Sequence, residues 1–158
     1  MGERPTGNHW SIALEEIPDP DFADIQIVAV PGDRPLVDDA AWWARQVFDV
    51  RSAPRWIRWL LGLRQFLVGL IGVARAGTGV FDVDAVRAGE ALISEDDQHL
   101  DFRAAVGIDT ENRLLRVTTA VRLHGRRGRL YWSFVRLLHG PVTRSMMERA
   151  VRRSAHVD

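Results

Sequence analysis

The densest concentration of polar chemistry in the sequence is Asp96-Asp97-Gln98-His99-Leu100-Asp101-Phe102-Arg103. A row of Asp97, His99 and Asp101 could orient a histidine as general base or ligate a metal ion. On a strand, however, successive side chains on one face lie ~6.5–7 Å apart, long for three ligands on one ion. The row reads better as a solvated face whose charges pair across strands, each pair contributing up to ~1 kcal/mol. Arg64 is a second candidate. On a helical wheel it falls among Ile57, Leu61, Val68 and Ile71, so its guanidinium needs an anionic or carbonyl partner, from a ligand or from within the fold. The alternative is that it snorkels to the edge. His139, just before Gly140-Pro141, either caps a helical turn or faces the interior.

Other chemistries are excluded by composition. The chain has no cysteine, which removes thiol nucleophiles, disulfides and Cys-based zinc sites. All 21 basic residues are arginine, so Schiff-base and P-loop lysine chemistry are absent as well. Ser94, Ser133 and Ser145 lack any nucleophile-elbow context. Gly77-Thr78-Gly79 does not extend into a dinucleotide fingerprint. No catalytic residue, metal or cofactor is therefore assigned; catalysis of the cyclase or hydrolase kind would need a polar pair facing the interior, and His99 and Asp101 are expected on the other side.

The elements that must position these residues follow from periodicity. Asp24–Val30 is apolar and β-branched, and Pro31-Gly32 ends it, so it reads as a first strand. Asp38-Asp39 opens a helix with Trp43, Val47, Phe48 and Val50 on its apolar side. Pro54 starts a second helix through Leu60, Leu67 and Ile71. Val80–Val83, Glu90–Ser94, Gln98–Ile108 and Arg113–His124 read as strands, and the helical period returns from Leu130 to Arg153. Gly140-Pro141 predicts a kink or a break there. Gly125-Arg126-Arg127-Gly128-Arg129 is read as a turn with solvated arginines rather than a nucleic-acid contact. The order β-α-α-β-β-β-β-α predicts an α+β fold: an antiparallel sheet, two helices after the first strand, and a long C-terminal helix across the sheet. Residues 21–158 form one domain, and 1–20, with three prolines, form a flexible N-terminal arm.

Charge divides the chain. Residues 1–111 carry 10 Arg against 19 acids, and residues 112–158 carry 11 Arg against two acids. Strand alternation brings Asp97, His99 and Asp101 towards Arg122, His124 and Arg116, so the acidic middle is expected to neutralise the basic end. Trp56–Ala74 is the most apolar stretch, but Arg58 and Arg64 leave it too short to span a membrane. With no secretory signature, the expected location is cytoplasmic.

Three segments together resemble an uncharacterised bacterial domain family. They are Pro54-Arg55-Trp56-Ile57-Arg58-Trp59-Leu60-Leu61-Gly62-Leu63-Arg64, Asp97 to Arg103, and Gly128-Arg129-Leu130-Tyr131 followed by His139. That family occurs as short proteins and fused C-terminal to NAD(P)-binding, epimerase-like proteins. It is similar to START/polyketide-cyclase-like domains of helix-grip type, which often enclose an apolar cavity between sheet and last helix. The resemblance implies a module that binds a small hydrophobic molecule. Leu100, Phe102, Val117, Val121, Trp132 and Phe134 would line the cavity, with Tyr131 and His139 on the same helix and Arg64 at the ligand's polar end. The alternative is a non-catalytic accessory or interaction domain, serving a redox-enzyme partner or self-association as a homo-oligomer. Nucleic acid is not expected as a partner.

Overall fold

The computed structural model describes residues 10–49, 82–96 and 98–156. Within them the chain forms α1 (Ile12–Glu16), β1 (Phe22–Ala29), α2 (Ala40–Val47), β2 (Ala85–Arg87), β3 (Glu90–Asp96), β4 (Leu100–Asp109), β5 (Leu114–Leu123) and α3 (Gly125–Arg153). A 3-10 turn, Ser154–His156, follows. Among the described residues the five strands make one antiparallel sheet in the order β1-β5-β4-β3-β2. The α+β class, the antiparallel sheet and the long C-terminal helix agree with the sequence. The second helix after Pro54 and the position of Arg64 lie outside the described residues, as does Asp97.

One sheet face carries the main core. Ala91, Ile93, Ala104, Val106, Leu115 and Val117 point at α2 and the C-terminal half of α3. Asp39 starts α2 by accepting the Trp42 amide on its side chain at 3.0 Å, an N-cap that satisfies one free helix donor. The cap sets Trp43 into the core with no exposed surface, and its Nε1 donates to the Val37 carbonyl at 2.8 Å. Trp43, Val106, Val117 and Met147 are all fully buried, so this region is filled. Val117, expected to line a cavity, is core instead.

The opposite face is covered at its centre by α1. Residues 1–20 were read as a mobile or loosely docked arm; from Ser11 to Ile17 the chain is docked, with Ile12, Ala13 and Ile17 packed on Leu92, Ala105 and Ala120. The anchor is Glu90, whose side chain is 4% exposed. Its Oε2 accepts from Ser11 Oγ and the Ile12 amide at 2.9 and 2.8 Å, and its Oε1 accepts from Arg116 at 2.6 Å. Gly107, opposite Glu90 in the register, leaves room for this carboxylate: a Cβ there would stand 3.2 Å from Glu90 Cγ.

Three further expectations are corrected. Of the strand read at Val80–Val83, residues 80 and 81 lie outside the described residues and 82–83 belong to no strand, while β2 begins at Ala85. Helix α3 starts at Gly125, so the Arg-rich 125–129 segment is helical rather than a turn. Nor does Pro141 break α3. The helix is held on both sides of the proline, by Trp132 before it and by Met146, Met147 and Ala150 after it. Packing outweighs the ~3 kcal/mol propensity cost of an interior proline.

The expected charge pairing is present in part. Asp101 is the register partner of Arg122 and lies 2.9 Å from His124 Nε2. Arg116 pairs with Glu90 rather than with the 97–101 row.

Candidate functional site

The inner sheet face changes character towards the β1–β5 edge. Phe22 and Asp24 alternate onto the same side of β1, and their register partners across β5 are Val121 and Thr119. Above them, α3 presents Trp132 and His139, two turns apart on one helix side. The result is an aromatic cluster with a polar centre.

Its geometry is specific. The Phe22 ring meets Trp132 edge-on at 5.0 Å between centroids and His139 at 5.6 Å, while Trp132 and His139 are 5.8 Å apart. His139 Nε2 lies 3.2 Å from both Asp24 Oδ1 and Thr119 Oγ1. Gln26 Nε2 donates to Asp24 Oδ2 at 3.1 Å. The side chains of His139 and Asp24 are 12% and 19% exposed, so the pair is largely withdrawn from water. Burial works against ionisation of Asp24. Hydrogen bonds from His139 and Gln26, the His139 charge and the Thr119 hydroxyl outweigh it and hold the carboxyl below its usual 3.8. The tautomer protonated on Nε2 donates to Asp24 and leaves Nδ1 as an acceptor. Trp132 is 6% exposed, and its Nε1 has no hydrogen-bond partner among the described residues.

Beside this cluster lies a shallow, open cleft of about 190 Å³. Phe22, Trp132 and Leu123 give it apolar surface, and Arg129 and Arg136 give it a basic side. Asp21 also borders it, with Oδ2 accepting the Leu123 amide at 2.7 Å.

The structure sorts the sequence candidates. Leu100, Val121 and Trp132 form one buried cluster, with Phe102 and Tyr131 partly buried against it. His139 joins at its polar side and caps no helix. Phe134 is corrected: it points away from the sheet and is 68% exposed, so it lines no interior site. His99 and Asp101 are not part of the cluster, and among the described residues no group of three His, Asp or Glu side chains could hold a metal. Phe22, Asp24, Thr119, Arg129 and Arg136 were not singled out from the sequence. An acid at Asp24, in a strand where Gln26 is the one other polar residue, was the available signal.

A family model matches residues 16–146, from the last residue of α1 into the second half of α3. The chain belongs to DUF2867, a family of proteins of unknown function. No curated protein and no solved structure matches it significantly. The DUF2867 match spans β1, the sheet, Trp132 and His139, so the whole aromatic–polar cluster lies inside it, whereas most of α1 lies before it.

Proposed function

We propose that this DUF2867 domain binds a small amphipathic molecule at the edge of the helix–sheet sandwich. The apolar part of the ligand rests on Phe22, Trp132 and Leu123, and an anionic end meets Arg129 and Arg136. The observation that carries the reading is the cleft itself, an opening of mostly polar lining where two arginines that make no ion pair with a described residue stand beside the edges of Phe22, Trp132 and Leu123. Its volume is below the ~300–1,000 Å³ usual for small-molecule sites, so the cleft seats part of a ligand rather than enclosing it. The helix-grip resemblance in the sequence supports a ligand between sheet and last helix, and because the core around Val117 is filled, the proposed site is the cleft at the β1 edge.

The test is native purification, solvent extraction and mass spectrometry, followed by titration with decanoate as a model amphipathic anion. A co-purifying lipophilic compound, or decanoate binding that weakens about tenfold or more in Arg129→Glu/Arg136→Glu, is the expected result; each lost charge-assisted contact removes about 1.5–3 kcal/mol. A clean extract together with decanoate binding unaffected by the charge reversal would overturn it.

One observation favours a second reading, catalysis. Asp24 and His139 are a polar pair on the helix-facing side, as a cyclase- or hydrolase-like reaction requires, and a proton on Nε2 held by Asp24 would leave His139 Nδ1 to act as the base.

A further inference from the structure

The outward side of α3 presents a second, separate feature. Leu130, Phe134, Leu137 and Leu138 are 61%, 68%, 68% and 46% exposed. Their spacing of four, seven and eight residues from Leu130 places them on one stripe of the helix, facing away from Trp132 and the sheet. A contiguous exposed apolar stripe of this kind marks an interaction surface rather than scattered surface residues.

Charge identifies the partner. Arg126 and Arg127 are exposed beside the stripe, Arg129 and Arg136 are exposed on the cleft side of the helix, and none of the four makes an ion pair with a described residue. The one acid in α3, Glu148, lies beyond the stripe and already pairs with Arg144 at 3.1 Å. A second copy docking through the same stripe by two-fold symmetry would bring these arginines against their own counterparts. The chain between Asp49 and Asp82 offers no complement either, since it contains Arg51, Arg55, Arg58, Arg64 and Arg75 and no acid. A surface that is both apolar and anionic satisfies stripe and arginines together.

We propose that the N-terminal half of α3 docks in the plane of an anionic lipid membrane, with Leu130, Phe134 and Leu137 entering the acyl boundary and the flanking arginines at the headgroups. Docking of an apolar stripe in the interface plane beside basic residues needs no membrane span. Among the described residues no helix is long and apolar enough to cross a membrane. Each arginine brought to such a surface adds about fivefold to partitioning, an effect that salt screens.

The test is sedimentation of the full chain with phosphatidylcholine vesicles, with and without phosphatidylglycerol. Binding is expected to the anionic vesicles, to fall on raising salt, and to drop about tenfold or more in Phe134→Asp/Leu137→Asp and about fivefold or more in Arg126→Glu/Arg127→Glu. Both side-chain pairs are exposed, so circular dichroism and Tm of the variants should match the wild type. Failure of the wild type to bind anionic vesicles overturns the proposal, as does equal binding by the folded Phe134→Asp/Leu137→Asp variant. A concentration-dependent dimer that this variant abolishes, without vesicle binding, overturns it in favour of a second copy.

Discussion

Replacing Asp24 by Asn keeps the size of the side chain but removes the charge that accepts from His139, Gln26 and Thr119. Hydrogen bonds to a charged group are worth about 1.5–3 kcal/mol, and the amide retains some of them, so Asp24→Asn should cost about 1–2 kcal/mol at neutral pH. The sign of the pH dependence follows from the lowered carboxyl pKa. Its contribution is fully present above the unfolded value near 3.8 and is lost as pH falls through the lower folded value. Urea unfolding should therefore show a constant gap between wild type and variant down to about pH 4, narrowing below it. A gap that persists unchanged into strong acid would mean that Asp24 acts through shape alone. At this scale the sequence was informative about Leu100, Val121, Trp132 and His139 and silent about Asp24. Ile25 and Ile27 are the more hydrophobic alternate set on β1, yet they are 43% and 49% exposed on its outer side. An edge strand whose outer side α1 does not cover can expose its isoleucines and turn an acid inward, and alternation alone does not reveal that phase.

Among the elements, α3 shows how tertiary contact overrides local preference. Gly128 sits in its first turns, where alanine is favoured by about 1 kcal/mol on helix propensity. A Cβ at this position would stand 2.2 Å from the His99 carbonyl oxygen, and that oxygen also accepts the His124 amide at 2.7 Å. The neighbour is backbone, so it cannot swing aside. Gly128→Ala should destabilise by about 1–3 kcal/mol despite the better propensity, because overpacking outweighs it. Arg127→Ala, one residue earlier and exposed, should stay within about 0.5 kcal/mol. Equal thermal stability of the two variants would show that α3 does not approach the β3–β4 turn so closely. The same closeness explains the misread helix start. Gly125 and Gly128 resemble turn residues in the sequence, but one supplies a positive φ of 65° at the chain reversal and the other a contact surface without a side chain. The strands of the long β4–β5 pair were readable because their helix-facing side is mostly apolar at every second position, although α1 also covers Ala105 and Ala120 on the other side.

For the molecule as a whole, the division of charge along the chain resolves into two regions. Glu90 with Arg116, Asp101 with His124, and Asp49 with Arg153 at 2.8 Å join the acidic part to the basic part inside the fold. The arginines of the first half of α3 are left facing outward, beside the cleft and the apolar stripe. Sequence arithmetic detects the asymmetry but not its partition, which depends on strand register. The acidic anchor also explains why α1 belongs to the fold although most of it precedes the family match. Glu90 is buried and accepts three hydrogen bonds, two of them from Ser11 and the Ile12 amide, and Ile12 and Ile17 are 1% and 2% exposed. Deleting residues 1–17 would re-expose Leu92, Ala105 and Ala120, remove two buried isoleucines worth about 1.5–3 kcal/mol each, and leave Glu90 with Arg116 as its remaining partner. The expected loss is therefore about 3–6 kcal/mol, a large fraction of the ~5–15 kcal/mol typical of a domain. Calorimetry should record a strongly lowered Tm for the truncated chain, and Glu90→Gln in the full chain should lower it in the same direction by a smaller amount. If truncation leaves Tm unchanged, α1 contributes no net stability, and the sheet's outer face must be stable without it.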